Sequence, residues 1–152
     1  MTDFIRLKAK YPDLILTTMT FQCGAGWELV LDQYFSEVVR ALPADTRLRV
    51  YQKYGSLRID ATAAGTVTPE IRLALDRAEI LANSRSYRFC EACGKPGSLR
   101  DKQWLYVGCE DHADGAAALP PDEGGIRQDG VAYEYDEDAD DLVVVQEERE
   151  GG

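Results

Sequence analysis

The residues of this chain best equipped for chemistry lie between positions 90 and 112, where Cys90-x2-Cys93 and Cys109-x2-His112 bracket a stretch of fifteen residues. That span holds three of the 4 cysteines and the only histidine of the 152-residue chain. Two thiolates two residues apart can reach one ion from a tight turn. A glycine such as Gly94 relieves the backbone just past the second of them, and another pair of the same spacing completes a tetrahedron. Four ligands with no further acid or imidazole in apolar surroundings describe a closed, structural Zn2+ site rather than a catalytic one with a position kept open for water. A redox dithiol is the competing use of the first pair, but it wants a βαβ setting that the flanking residues do not offer. If His112 is not a ligand, it is a surface imidazole beside Glu110 and Asp111. With the histidine taken, neither a Cys-His hydrolase nor a histidine-dependent nuclease can be built. No other nucleophile, base and orienting group come together, so the chain reads as a non-enzyme without a small-molecule substrate.

The segment between the pairs, GKPGSLRDKQWLYVG, opens on turn residues and ends on the alternating run Trp104 to Val107. It predicts a hairpin that brings the two half-sites together, with Cys109 and His112 on a short helical turn. Residues 88–113 therefore read as a treble-clef or zinc-ribbon module. Upstream, Trp27, Val30, Leu31, Tyr34, Phe35, Val38 and Leu42 recur at three- and four-residue steps, which predicts a helix from Gly26 to Leu42 stopped by Pro43. RLRVYQKYGSLRIDA alternates about a turn-prone centre and predicts a half-buried hairpin, with Leu48 and Val50 facing the core from one arm and Leu57 and Ile59 from the other. Thr68, Pro69 and Glu70 then open a second helix, with Ile71, Leu75, Ala78 and Leu81 as its stripe and an end near Ser84. The expected class is α+β: two helices packed on a β-hairpin over 1–87, the zinc module packed on them as part of one domain, and an acidic C-terminal hairpin or tail.

Charge divides the chain sharply. Up to His112 there are 15 Lys and Arg against 14 Asp and Glu; beyond it there are 2 against 13, so a nearly neutral body precedes a tail of net charge -11. The Gly-, Pro-, Ala- and Asp-rich residues 114–129 read as a linker, because such a composition buries too little apolar surface to form a core. Within 130–152, Val131 to Tyr135 and Leu142 to Gln146 flank an acidic turn of Asp136, Glu137, Asp138, Asp140 and Asp141. These five are the candidate partner-binding residues, through charge presented to a basic surface, the other reading being a solvated acidic turn that keeps a hairpin edge from aggregating. Asp136, Asp138, Asp140 and Glu147 also match calcium-loop positions one, three, five and twelve. Asp141 stands where that loop needs glycine, and strand-like flanks replace helices. No apolar run approaches the roughly 20 residues a membrane span requires, and charges interrupt the N-terminus where a signal peptide is apolar, so a reducing cytoplasm is the expected location.

Taken together, YPDLI, FQCGAGWELVLDQ, VYQKYGSLRI and CEACGKPGSLR…WLYVGCEDHA resemble a family of small uncharacterised proteins encoded by phages and proteobacterial prophages, over about residues 10–113. The resemblance implies a mobile-element origin, a bacterial host, and a role against or on host machinery; it implies the same four zinc ligands and brings no activity. Cys23, in CGAGW, reads as a small buried hydrophobe beside Trp27 more readily than as a reactive thiol at a helix start. Two functions follow as expectations. One is a binder that modulates or inhibits a host nucleic-acid-handling complex, such as a CRISPR effector, a nuclease or RNA polymerase. The alternative is a zinc-ribbon protein that binds nucleic acid or modulates transcription directly, using Arg85, Arg88, Lys95, Arg100 and Lys102 with Trp104 for stacking.

Overall fold

The computed structural model describes residues 4–12, 21–43, 46–62, 67–121, 126–128 and 131–145. The chain forms two compact units, Met1–Pro121 and Asp122–Gly152. It is a mixed helix and antiparallel-sheet fold, as expected from the alternation of helical and strand periods.

The first unit begins with α1 (Ile5–Lys10), which the sequence reading does not include. It is held by Phe4, Leu7 and Tyr11, all buried, rather than by a long stripe. Phe4 packs on Phe21 at 4.7 Å between ring centroids, and Tyr11 on Phe35 at 5.5 Å. A single 3-10 turn, Ala25–Trp27, leads into α2 (Glu28–Val38). The stripe Trp27, Val30, Leu31, Tyr34, Phe35 and Val38 is sealed from solvent. The helix stops at Val38, four residues before the expected end, because the amides of both Ala41 and Leu42 turn back onto the Val38 carbonyl. Leu42 still reaches the core, from that turn.

The hairpin follows as expected: β1 (Arg47–Lys53) pairs with β2 (Ser56–Thr62), Val50 opposite Ile59. Its two-residue turn, Tyr54-Gly55, has positive φ at both positions, the geometry whose twist matches that of paired strands. Val50, Leu57 and Ile59 lie in the core, with Leu48 and Ala61 packed against it. α3 (Pro69–Ser86) starts where Thr68 Oγ1 accepts the Ile71 amide. Its far end is pinned to β2. The Leu57 amide donates to Ser86 Oγ at 3.0 Å, and Asn83 Nδ2 donates to Ser56 Oγ and to the Leu57 carbonyl. Helix side chains thus satisfy backbone groups that a bare strand edge would expose.

β3 (Ser98–Asp101) and β4 (Leu105–Gly108) form the second hairpin, Leu99 opposite Val107, and both of those side chains join the core. The interval 114–129 is not one continuous linker. Leu119 pairs with Leu99 through a 2.7 Å backbone hydrogen bond, and Arg100 Nη1 donates to the Ala116 carbonyl, so residues up to 121 are tied to β3. Composition misses this because the ties are made by backbone atoms. Later in the same interval, β5 (Ile126–Gln128) opens the second unit, a three-stranded meander with β6 (Val131–Asp136) and β7 (Asp141–Val145). Tyr133 and Leu142 are its buried side chains among those described. No helix among the described residues is long and apolar enough to cross a membrane.

Candidate metal centre

The cysteine and histidine ligands are delivered by two backbone turns on either side of the β3–β4 hairpin. In the first, the Gly94 amide donates to the Cys90 carbonyl and the Cys90 amide to the Lys95 carbonyl, both at 2.8 Å, curling the chain around the Cys90 and Cys93 thiols. Gly94 adopts φ +78°, the left-handed conformation anticipated for it. In the second, Glu110–His112 form one 3-10 turn, closed by the His112 amide on the Cys109 carbonyl at 3.0 Å. The Glu91 amide donates to the Val107 carbonyl and joins the first turn to β4.

These turns bring one atom from each of Cys90, Cys93, Cys109 and His112 within 4.8 Å of one another. Cys93 Sγ lies 3.6 Å from Cys109 Sγ, and His112 Nδ1 lies 3.5 Å from Cys90 Sγ and 3.2 Å from Cys109 Sγ. A tetrahedral ion with metal–sulfur bonds of about 2.3 Å has ligand–ligand edges of about 3.8 Å, close to these separations. The donors therefore fit a four-coordinate metal ion, with Nδ1 as the imidazole ligand. Burial works against ionisation of Cys109, yet hydrogen bonds from His112 and from the Cys93 thiol prevail and draw its pKa down to about 6, toward the thiolate a metal binds.

The close fit of the body to this centre comes from CGAGW. The Gly26 amide donates to the Glu91 carbonyl at 2.7 Å, and Trp27 Nε1 donates to the Phe89 carbonyl at 2.9 Å. A Cβ on Gly26 would come within 1.9 Å of the Cys90 carbonyl oxygen, and one on Gly24 within 2.3 Å of that of Glu91. Only hydrogen fits, so the glycines are the seat of the first metal turn. The spacing of residues assigns these glycines no part in the metal centre; the missing signal is the spatial proximity of residues about 65 apart. Cys23, in the same loop, is partly buried against the core. Burial, with a smaller effect of Glu91, pushes its thiol up to about 12, so it carries no thiolate chemistry near neutral pH.

The cations suggested for nucleic acid differ in what holds them. Arg85 is buried and bonds Glu37 at 2.9 Å; Arg100, only 4% exposed, donates Nε to the Gly108 carbonyl and lies 3.5 Å from Glu110. Arg88 Nη1 donates to the Ser84 carbonyl, and Lys95 and Lys102 face Asp111 and Asp114. Trp104 is open, at 59% exposure, and the side chains of Lys95 and Lys102 are 65% and 48% exposed despite their pairing. A charge count cannot distinguish a cation that cements a fold from one that faces water.

Asp136, Glu137, Asp138, Asp140 and Asp141 all lie at the β6–β7 turn and are exposed. Asp136 Oδ1 accepts the amides of Asp138 and Ala139, while the Tyr135 hydroxyl donates to Asp140. Strands flank this turn, unlike the helices of a calcium-binding loop, and the Cys3His group is the one metal-compatible cluster among the described residues. Glu147 lies outside them. No family model, no curated protein and no solved structure matches the chain.

Proposed function

We propose that the chain is a non-enzymatic interaction protein whose metal is a structural Zn2+, and that its acidic turn engages a basic surface on a nucleic-acid-handling complex of a bacterial host. The observation that carries this reading is the ordered acidic tip: five carboxylates on one turn, with Asp136 and Asp140 held by hydrogen bonds within it. A preorganised anionic tip loses little freedom on meeting a cationic site. The metal centre supports the same reading from the other side. Three thiolates and an imidazole complete a tetrahedron and leave no position for a substrate. Zinc is the metal that this donor set most commonly serves, and its contribution is folding free energy. The resemblance to phage and prophage proteins directs the proposal toward inhibition or modulation, as by an anti-CRISPR or other anti-defence protein. Direct nucleic-acid contact around the metal module loses support, because Arg85 and Arg100 are buried and Lys95 and Lys102 are paired.

The test is capture of the host complex by the full chain and by a variant with Asp136, Asp138, Asp140 and Asp141 changed to Asn and Glu137 to Gln. The proposal expects wild-type capture that fades between 50 mM and 500 mM salt, and at least tenfold weaker capture by the amide variant at low salt. Equal capture by the two proteins, with the same salt dependence, would refute it.

A further inference from the structure

The cations of this chain divide according to what holds them. Lys10, Arg85, Lys95, Arg100 and Lys102 each lie within 4.0 Å of a carboxylate. Arg6, Lys8, Arg40, Arg47, Arg49, Lys53, Arg58 and Arg72 make no ion pair among the described residues, and four of them, Arg47, Arg49, Lys53 and Arg58, belong to the β1–β2 hairpin. In β1, Arg47, Arg49, Tyr51 and Lys53 alternate with Leu48, Val50 and Gln52; since Val50 is sealed in the core, the former set occupies the opposite face. The register sets Arg58 opposite Tyr51 on that same face. At about 3.3 Å of rise per residue, the row from Arg47 to Lys53 runs about 20 Å.

Asp60 interrupts the row, its carboxylate accepting a hydrogen bond from the Tyr51 hydroxyl at 3.0 Å, and Arg58, half-buried with its Nε out of solvent, lies near Glu79 of α3 rather than facing out. The Arg49 guanidinium lies 4.4 Å from the centroid of the Tyr51 ring and Lys53 Nζ lies 5.5 Å from that of Tyr54, so the cations are lined with planar groups. At the turn, Tyr54 is 66% exposed. Leu105 of the second hairpin abuts the adjoining Gly55, where an added Cβ would sit 3.2 Å from its backbone, and its carbonyl accepts a hydrogen bond from Gln52 Nε2 on the face opposite the cations. A row of cations without ion pairs among the described residues thus leads to an open aromatic ring, Tyr54, at the hairpin tip.

We propose that this face binds single-stranded nucleic acid, with phosphates along Arg47, Arg49 and Lys53 and bases stacked on Tyr54. The charge selects a polyanion, and the ring selects one whose bases are unstacked, which distinguishes it from a duplex and from an acidic peptide. This inference goes beyond the acidic-turn reading and stands without it.

The experiment is fluorescence anisotropy of the full, zinc-loaded chain with labelled 12-nucleotide oligothymidylate and oligouridylate, a duplex of equal length, and polyglutamate as competitor, in 50 mM salt. Both single strands are expected to bind, one more tightly according to whether DNA or RNA is the natural ligand, and the duplex at least fivefold more weakly. Three phosphate contacts give a slope of log affinity against log salt of about -2. R49E/K53E should lose at least tenfold, whereas R6E/R40E, with the same change in net charge at exposed positions outside the face, should lose less than twofold. Tyr54→Asn, which removes the ring and suits the positive φ, should lose about tenfold for the single strands only. Circular dichroism checks each fold, and R49Q/K53Q replaces the reversal if that variant does not fold. Absence of saturable binding would overturn the proposal. So would equal losses in the two charge-reversal variants, duplex binding as tight as that of the single strands, or displacement by polyglutamate at equal charge concentration. Removing the acidic-turn charges should leave this binding intact or tighten it, so the two readings fail separately.

Discussion

The two halves of the first unit are held together by different physics. From Phe4 to Ser86 the interior is a continuous apolar core, with Trp27, Tyr34, Phe35, Val50, Leu57 and Ile59 almost wholly buried. From Arg88 to Pro121 there are two strands of 4 residues each, and the apolar residues that join the core from them are Leu99 and Val107, besides a buried Arg100 and the ligand thiols. A buried Leu or Val contributes about 1.5–3 kcal/mol, whereas ordering each residue costs about 1–2 kcal/mol. The metal module therefore cannot be held by its own burial. The body uses area and the module uses ligation, so the same insult should harm them unequally.

The largest effect should come from withdrawing the metal. Chelation, or Cys93→Ser, removes folding free energy on the order of 10 kcal/mol in small modules, and residues 88–113 should lose their hydrogen-exchange protection while α2 amides such as those of Leu31 and Phe35 keep most of theirs. Persistent protection of the β3–β4 amides in metal-free protein would erase the distinction. Elemental analysis of fresh protein should find about one zinc per chain.

A smaller effect is expected where the halves meet. Gly26→Ala forces a methyl group into the Cys90 carbonyl oxygen, and overpacking of this kind costs about 1–3 kcal/mol. Thermal unfolding should shift down by several degrees and metal affinity should weaken together with it, since the seat and the turn are one contact. A drop in stability with unchanged metal affinity would show that the body and the module are coupled only loosely.

The smallest effect lies within the body alone. Burial, then Asp60 and Asp76, push the Glu79 carboxyl up to about 7. For an acid with a raised folded-state pKa, the native state retains the proton more tightly. Its stabilising contribution is full below about pH 4.5 and disappears as pH rises through about 7. Wild-type melting temperature should therefore decline across that window by more than that of Glu79→Gln, and parallel profiles for the two would show that Glu79 is better solvated than its surroundings imply.

How much of this was legible from residue order follows the same division. The α2 stripe, the Tyr54-Gly55 hairpin and the Thr68 cap are local patterns, and each was readable. So were Cys90, Cys93, Cys109 and His112, because ligand chemistry imposes spacing. α1 was not, since its 6 residues carry no periodic stripe and depend on Phe21 and Phe35 for their packing. The roles of Gly24, Gly26, Arg85 and Arg100 were not legible either. Each is fixed by a partner distant in sequence or by a carbonyl that every residue possesses.

The bond from Trp27 to Phe89 also sets an order of events in time. Its donor and acceptor are 62 residues apart. At about 5–20 residues per second of synthesis, roughly 3–12 s pass between the emergence of the indole and of its acceptor. During that interval the CGAGW loop has been made but has nothing to close on, and the last ligand, His112, comes later still. If the centre takes up its metal, the newborn chain would carry an open aromatic seat until the ion folds the lid onto it, and metal supply would then set how long the protein is exposed to proteases and to its own aggregation.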